Sequence, residues 1–247
     1  MSKTFKKLPF FIFLLISSSS WSIEIDWNKI EKKDGLYYEK SKKKIFTGRV
    51  NGKIKGEIID GKKEGKFLKF YKNGNKLSEI NYNNNIIEGE WKEYFRNGNL
   101  LIKKNYKNNK LEGEYFDYYS IGQLLSERFY IEGNLHGVYK DYYKNGQLHN
   151  KKNYKNGKLH GEHLTFHEYE LEEKVQLKEK KNYINGKING YIHQYDENGT
   201  LREKGFYKES KLEGEYFKYD RSGKFLEKII YKNGIFVKII RNISLNR

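Results

Sequence analysis

Bulky apolar residues recur along the chain at fixed distances from a repeated glycine, with polar residues between them. Two residues after this glycine comes a bulky side chain, five residues after it an aromatic ring, and seven residues before the next such glycine another ring. Short apolar runs separated by glycine-containing turns are typical of β-strands. We call these glycines anchors; they are Gly65, Gly89, Gly113, Gly137, Gly161, Gly190 and Gly214.

The interval between anchors is constant apart from one insertion. Five of the six intervals are 24 residues, and the fifth is 29. A fixed period of this length indicates a repeat array in which each unit packs on its neighbours. The pattern therefore predicts an all-β fold, namely an elongated array of antiparallel β-hairpins in which each unit is strand, turn, strand, turn.

Two turns are predicted in each unit. The first lies nine residues after the anchor and often reads Asn-Gly, as at Asn97-Gly98, which predicts a two-residue hairpin turn. The second precedes the next anchor, as in "YKNGKLHG" at Tyr154 to Gly161. At about 4.8 Å per strand, seven units would form a sheet roughly 67 Å long.

The ring five residues after each anchor is predicted to be structural. A single hairpin is marginal in water, so we expect these rings to stack from unit to unit as a buried ladder. Every unit carries Phe or Tyr there: Phe70, Tyr94, Tyr118, Tyr142, Phe166, Tyr195 and Tyr219.

The unit reads G-x-[aromatic]-x-x-Y-[aromatic]-x-N-G-x-L, followed by Y-x-N-G-x-L-x-G, and it resembles the bacterial variant of the MORN repeat. The resemblance covers about Gly48 to Val237 and implies a ribbon of antiparallel hairpins. Proteins with this repeat are often labelled as antitoxin components or as lipid-binding modules. The resemblance therefore implies binding without identifying the partner.

Residues 1–22 predict export. Lys3, Lys6 and Lys7 precede an apolar run, Leu8 to Ile16, and small polar residues then lead to Ser22. This order is typical of a secretory signal peptide, here cleaved after Ser22, and the run is too short to span a bilayer. An uncleaved interfacial anchor is the alternative. A lipoprotein is excluded because the chain has no Cys. The expected location is the periplasm, the cell surface or the medium.

The rest of the chain divides into a cap segment at 23–47, the repeat array at 48–237 and a tail at 238–247. The five-residue insertion falls within 167–182, between the two strands of the unit that starts at Gly161. A tolerated loop is the favoured interpretation, and a partner-specific contact is the alternative. The inserted tip is locally acidic at Glu168, Glu170, Glu172 and Glu173.

The chain is strongly basic, with a formal net charge of +17. Lysines occur in every unit beside glutamates, so they either keep the surface solvated or attract an anionic partner. That partner would be lipid headgroups, a surface polymer or an acidic protein; export argues against nucleic acid. Three turn lysines are the binding candidates: Lys144, Lys155 and Lys158.

No catalytic, cofactor or metal site is predicted. His163 and His167 share a strand face and could form a metal pair. They align, however, with Trp91 and Phe95 of another unit, which favours a packing role. The predicted function is an exported, non-enzymatic binding or scaffold module for an envelope or surface partner. The alternatives are a peripheral module for anionic lipids and an antitoxin-like protein.

Overall fold

The computed structural model describes residues 23–169 and 175–242. The predicted signal peptide and three insertion glutamates, Glu170, Glu172 and Glu173, lie outside these residues. The described chain forms 22 strands and one 3-10 turn, Trp27–Lys29. The strands are β1 Glu24–Asp26, β2 Ile30–Lys33, β3 Leu36–Glu39, β4 Lys44–Ile45, β5 Gly48–Asn51, β6 Ile54–Ile59, β7 Lys62–Phe70, β8 Lys76–Asn83, β9 Ile86–Tyr94, β10 Leu100–Lys107, β11 Lys110–Tyr118, β12 Leu124–Ile131, β13 Asn134–Tyr142, β14 Leu148–Lys155, β15 Lys158–Phe166, β16 Leu177–Ile184, β17 Lys187–Ile188, β18 Gly190–Tyr195, β19 Leu201–Lys208, β20 Lys211–Tyr219, β21 Phe225–Lys232 and β22 Ile235–Arg241.

One sheet of 19 strands contains the whole array. From β5 to β22 the strands pair antiparallel in chain order, and β17 and β18 together act as one strand against β16. At the N-terminal end β1 pairs parallel with β5, and β2 to β4 form a separate small sheet. The predicted all-β array of hairpins is confirmed. Its last strand runs to Arg241, beyond the predicted end at 237.

The two turns of a unit differ in a way that corrects the prediction. The second turns have two residues, both with positive φ, as at Asn108 (50°) and Asn109 (62°), which is the type I′ geometry of a tight hairpin. The first turns are longer: the Tyr71 N–H donates to the Asn75 carbonyl oxygen (2.8 Å), and within the loop only Gly74 has positive φ. The prediction of two-residue turns was wrong for the Asn-Gly pairs of the first turns, because Asn there does not adopt positive φ.

All turns of one kind lie along the same side of the sheet. We call these sides the first-turn edge and the second-turn edge. Both edges are held by hydrogen bonds between units. On the first-turn edge, hydroxyls of Tyr71 and Tyr119 donate to the carbonyl oxygens of Tyr94 (2.7 Å) and Tyr142 (2.8 Å) in the following unit. On the second-turn edge, the Asn109 N–H donates to the Ile87 carbonyl oxygen across 3.1 Å.

Six of the seven anchor glycines lie inside strands, where each forms a β-bulge, and Gly190 begins β18 after the break that follows β17. Gly113 has a φ of 86°, and the pairing of β10 with β11 shifts register opposite it. A Cβ on Gly137 would meet no atom within 4 Å, so space is not what selects glycine there. The positive φ selects it, because other residues adopt that conformation at a cost.

Rings pack along one face of the sheet, which we call the ring face. Each contact joins the residue two positions after an anchor to the tyrosine that ends the same unit. The centroid distances are 5.4 Å for Phe67–Tyr82, 5.5 Å for Trp91–Tyr106, 5.8 Å for Tyr115–Tyr130, 6.2 Å for Tyr139–Tyr154, 6.0 Å for His163–Tyr183 and 6.3 Å for Tyr216–Tyr231. The rings five residues after the anchors, which were expected to form the buried ladder, lie at the strand ends and are half-buried, as are most rings of the ring face.

Cations fill the positions between these rings in the middle units. Lys104 Nζ lies 4.4 Å from the centre of Trp91 and 5.8 Å from Tyr115. The Arg128 guanidinium carbon lies 3.9 Å from Tyr115 and 6.0 Å from Tyr139. Such cation–π contacts stabilise a row of rings that no second layer of the described chain covers.

Among the residues that the structure describes, a buried apolar cluster forms only at the N-terminal end. Residues of the cap segment pack there on the first strands of the array and leave Phe67 2% exposed. The buried members of the cluster are Ile30, Tyr37, Phe46, Val50, Ile58 and Phe67. This arrangement covers one end of the sheet.

Candidate binding edge

Lysines face each other directly along the second-turn edge. The closing cross-strand pairs of three hairpins are Lys107 with Lys110, Lys155 with Lys158, and Lys208 with Lys211. All six side chains are exposed. Like charges directly opposite each other destabilise a sheet. An anion bound at this edge would relieve that repulsion.

Most acidic residues of the same edge already accept a hydrogen bond or form an ion pair with another residue. The Glu112 carboxylate accepts the Glu132 N–H (2.7 Å), and the Glu88 carboxylate accepts the Asn108 N–H (2.8 Å). Lys187 pairs with Glu209. In the part of the chain that the structure describes, none of the six paired lysines forms an ion pair. The edge therefore presents six lysine charges that no direct ion pair neutralises in the described ranges.

Exposed isoleucines close the two hairpins between the lysine pairs and the hairpin that follows the last pair. Ile131 faces Asn134, Ile184 faces Lys187, and Ile235 faces Lys232. Their exposed fractions are 41%, 43% and 71%. Basic and apolar hairpin ends thus alternate along the second half of the edge. This combination is suited to a partner that is anionic and offers some apolar surface.

The structure separates the three lysines chosen as binding candidates. Lys155 and Lys158 form one of the opposed pairs on the second-turn edge. Lys144 lies in the first turn between β13 and β14, at the other end of the strand that leads to Lys155. A strand of eight residues spans about 25 Å. The three side chains therefore belong to two separate surfaces.

The first-turn edge carries mixed charge, and part of it is used internally. The carboxylate of Asp220 accepts hydrogen bonds from the Ser222 hydroxyl (2.7 Å) and the Lys224 N–H (2.9 Å). Both donors hold the pKa of Asp220 below its usual range, and the Ser222 hydroxyl has the larger effect. Asp196 accepts the N–H groups of Asn198 and Thr200 in the same way. These carboxylates order their own turns.

Sequence reasoning missed the opposed lysines, although a signal exists. From Gly113 onward, lysine recurs six and three residues before every second anchor, namely Gly113, Gly161 and Gly214. Only a two-residue turn places these two positions opposite each other. The turn type therefore had to be known before the pattern could be recognised.

His163 and His167 have separate partners and do not form a metal pair. His163 Nε2 lies 3.2 Å from the Asn150 amide oxygen, inside the ring face. His167 Nε2 lies 3.0 Å from the Tyr195 carbonyl oxygen, on the first-turn edge. Among the described residues, no cluster of three or more His, Cys, Asp or Glu is arranged to hold a metal ion. No helix in the described ranges has the length and apolar character needed to cross a membrane.

His163 predicts a loss of stability in acid. Burial, followed by the charges of Lys181 and Lys152, lowers the pKa of His163 to about 4, while Glu179 and Asp141 act weakly the other way. The folded state thus favours the neutral His163 ring, whereas in the unfolded chain this ring takes up a proton at about pH 6.5. His163 therefore leaves the free energy of unfolding unchanged above pH 6.5 and lowers it progressively between pH 6.5 and 4. Below pH 4 this loss reaches up to about 3 kcal/mol.

Thermal melts from pH 7 to pH 4 measure this effect. A His163→Phe variant should lose less stability in acid than the unmodified chain, because phenylalanine keeps the packing and has no proton to bind. His136→Gln is the matched control and should melt like the unmodified chain at each pH. Parallel pH profiles for the His163→Phe variant and the unmodified chain would contradict the assignment.

The sheet has 19 strands, hydrogen bonds that repeat from unit to unit, and one charged edge. These features define a binding or scaffold module built from repeats. The pattern of the MORN repeat variant matches the chain five times, at 63–84, 87–108, 135–156, 188–209 and 212–233. The chain belongs to the MORN-repeat proteins. Two units escape the match: the one from Gly113, whose second turn reads Glu132-Gly133, and the one from Gly161, which carries the insertion. No curated protein matches the chain.

Proposed function

We propose that the protein is an exported, non-enzymatic module that attaches to an anionic component of the cell envelope through its second-turn edge. The opposed lysine pairs carry this proposal, because the Cα atoms of each pair lie directly opposite each other, about 5 Å apart, and none of the six side chains forms an ion pair in the described ranges. A bound anion removes that repulsion, so attachment and edge stability reinforce each other. The net charge of +17 would also accelerate encounters with anionic surfaces.

Charge reversal on the edge tests the attachment. The double variant Lys155→Glu, Lys158→Glu should bind envelope fragments at least about tenfold more weakly at low salt, since each lysine near an anionic surface contributes about 1 kcal/mol. The matched control, Lys72→Glu with Lys144→Glu, makes the same charge change on the first-turn edge and should retain binding. Co-sedimentation over a salt series measures both. Equal losses in the two variants would show that net charge, and not this edge, directs binding.

An anionic lipid surface is the second candidate, and the exposed isoleucines favour it. Side chains such as Ile131 and Ile184 could enter the headgroup region while neighbouring lysines contact phosphates. Replacing both isoleucines with Ser should then weaken flotation with anionic vesicles and leave binding to an anionic polymer unchanged. If both kinds of binding persist, the polymer or an acidic protein is the partner.

Export is the second element of the proposal, and it rests on the order of residues 1–22. The protein recovered from fractionated cells should lie outside the cytoplasm and begin at Ile23, as cleavage after Ser22 requires. N-terminal sequencing of that material gives the answer directly. Cytoplasmic protein that retains Met1 would overturn export and favour the antitoxin-like alternative.

A further inference from the structure

The sheet ends in an unpaired, apolar strand. β22 pairs with β21 on one side, and no described strand pairs with its other side. All seven of its residues are exposed. Five of them are apolar: Ile235, Phe236, Val237, Ile239 and Ile240. A long apolar edge strand offers free N–H and C=O groups to any chain that can extend the sheet.

The two ends of the array differ in how far their apolar side chains are covered. At the N-terminal end, β1 pairs with β5, and the cap segment leaves Phe67 and Ile80 each 2% exposed. At the other end, Ile239 is 37% exposed and Ile240, on the opposite face, is 44% exposed. A strand added to the edge flanks the apolar side chains on both faces of β22 at once.

We propose that two copies of the chain pair their β22 strands antiparallel, about a two-fold axis at Ile239. In a symmetric antiparallel pair, one residue must lie opposite its own copy. An axis at Lys238 would oppose two lysines, and an axis at Val237 would fall on the β-bulge between the partners of Ile230 and Tyr231. The axis at Ile239 avoids both problems.

The register at Ile239 also continues the ring face across the axis. Tyr216 lies opposite Ile229, and Ile229 lies opposite Ile239. Pairing adds the second Ile239 and the second Ile229 to this row. In this register, Lys238 of one copy lies opposite Ile240 of the other, and Arg241 lies opposite Val237. Within its own chain, the Arg241 Nε lies 3.6 Å from the Glu227 Oε2. No like charges meet in this register.

The size of the contact sets its strength. One strand pair buries at most about 1,000 Å², the low end of specific interfaces. The dimer should therefore be reversible and should form as concentration rises.

Single cysteines test the register, because the chain has no Cys of its own. Opposed Cα atoms in an antiparallel pair are about 4.5–5.5 Å apart, within the range that a disulfide bridges. Under mild oxidation, Ile239→Cys should give a disulfide-linked dimer at concentrations where Ile121→Cys remains monomeric. Ile121 is the control because it is more exposed, at 66%, and lies on a first turn. Equal cross-linking of the two variants would overturn the register.

Sedimentation equilibrium of the purified protein tests the assembly itself. The mass should rise from monomer towards dimer, whereas Ile240→Lys should remain monomeric with an unchanged melting temperature. Ile184→Lys, on the second-turn edge, should dimerise like the unmodified chain. A monomer at every concentration overturns the proposal. Species larger than a dimer overturn the two-fold axis in favour of head-to-tail growth.

Discussion

Deleting Gly113 to His136 should leave a shorter protein that still folds and melts cooperatively. The deletion removes 24 residues, one complete period, and joins Glu112 to Gly137. The new neighbours carry the same bulge, the same ring positions and the same turn types as the ones removed. Since each unit contacts mainly adjacent units, the pairing can close again. The sheet should shorten by two strands, about 10 Å.

Deleting only residues 113–124 is the matched comparison. This change removes half a period, so every later strand meets its neighbour in the wrong direction and with the wrong residues facing the rings. We expect loss of the cooperative transition in circular dichroism and an expanded chain in solution scattering. If the half-period deletion melts like the full-period deletion, pairing by repeat phase is not what holds the array together.

Replacing Phe67 with Ala should lower the free energy of unfolding by about 3 to 5 kcal/mol, the usual cost of emptying a buried ring site. Phe67 is 2% exposed and packs edge-on against Tyr82 (5.4 Å) and Trp27 (6.5 Å). Its loss would open a cavity between the cap segment and the array. Since a domain is stable by only about 5 to 15 kcal/mol, urea titration should show a large shift.

Tyr118→Ala provides the contrast. Tyr118 occupies the position that sequence reasoning assigned to the buried ladder, yet its ring is only half-buried beside a first turn. Its removal should cost clearly less than that of Phe67. Equal losses at the two sites would restore the ladder to the position five residues after the anchor.

Much of the fold could be predicted because the 24-residue period is visible in the sequence positions of the anchors and rings. Strand number, chain order and antiparallel pairing follow from that period together with short turns. The ring face could not be assigned, because the bulge at each anchor changes which side chains share a face. Tyr115 and Tyr118 are three apart and would lie on opposite faces of a regular strand, so choosing between them required the register.

The candidate binding edge was only partly predictable for a related reason. Lys155 and Lys158 were identified as exposed turn lysines, but their direct opposition depends on the φ values of Asn156 and Gly157. Lys144 looked equivalent in sequence and lies at the other end of its strand. The cap segment could not be predicted in detail because residues 23–47 carry no repeat.

Pairing in strict chain order also has a mechanical consequence. Tension between the two ends of the array acts across the strands and loads the hydrogen bonds of the last strand pair first. Strands would then detach one after another at low force, instead of resisting together as in a sheet pulled along its strands. Each released unit of 24 residues adds roughly 70 Å of extended chain. Between the proposed attachment at the second-turn edge and a pulled end, the protein would act as an extensible tether whose steps are equal except at the longer unit that starts at Gly161.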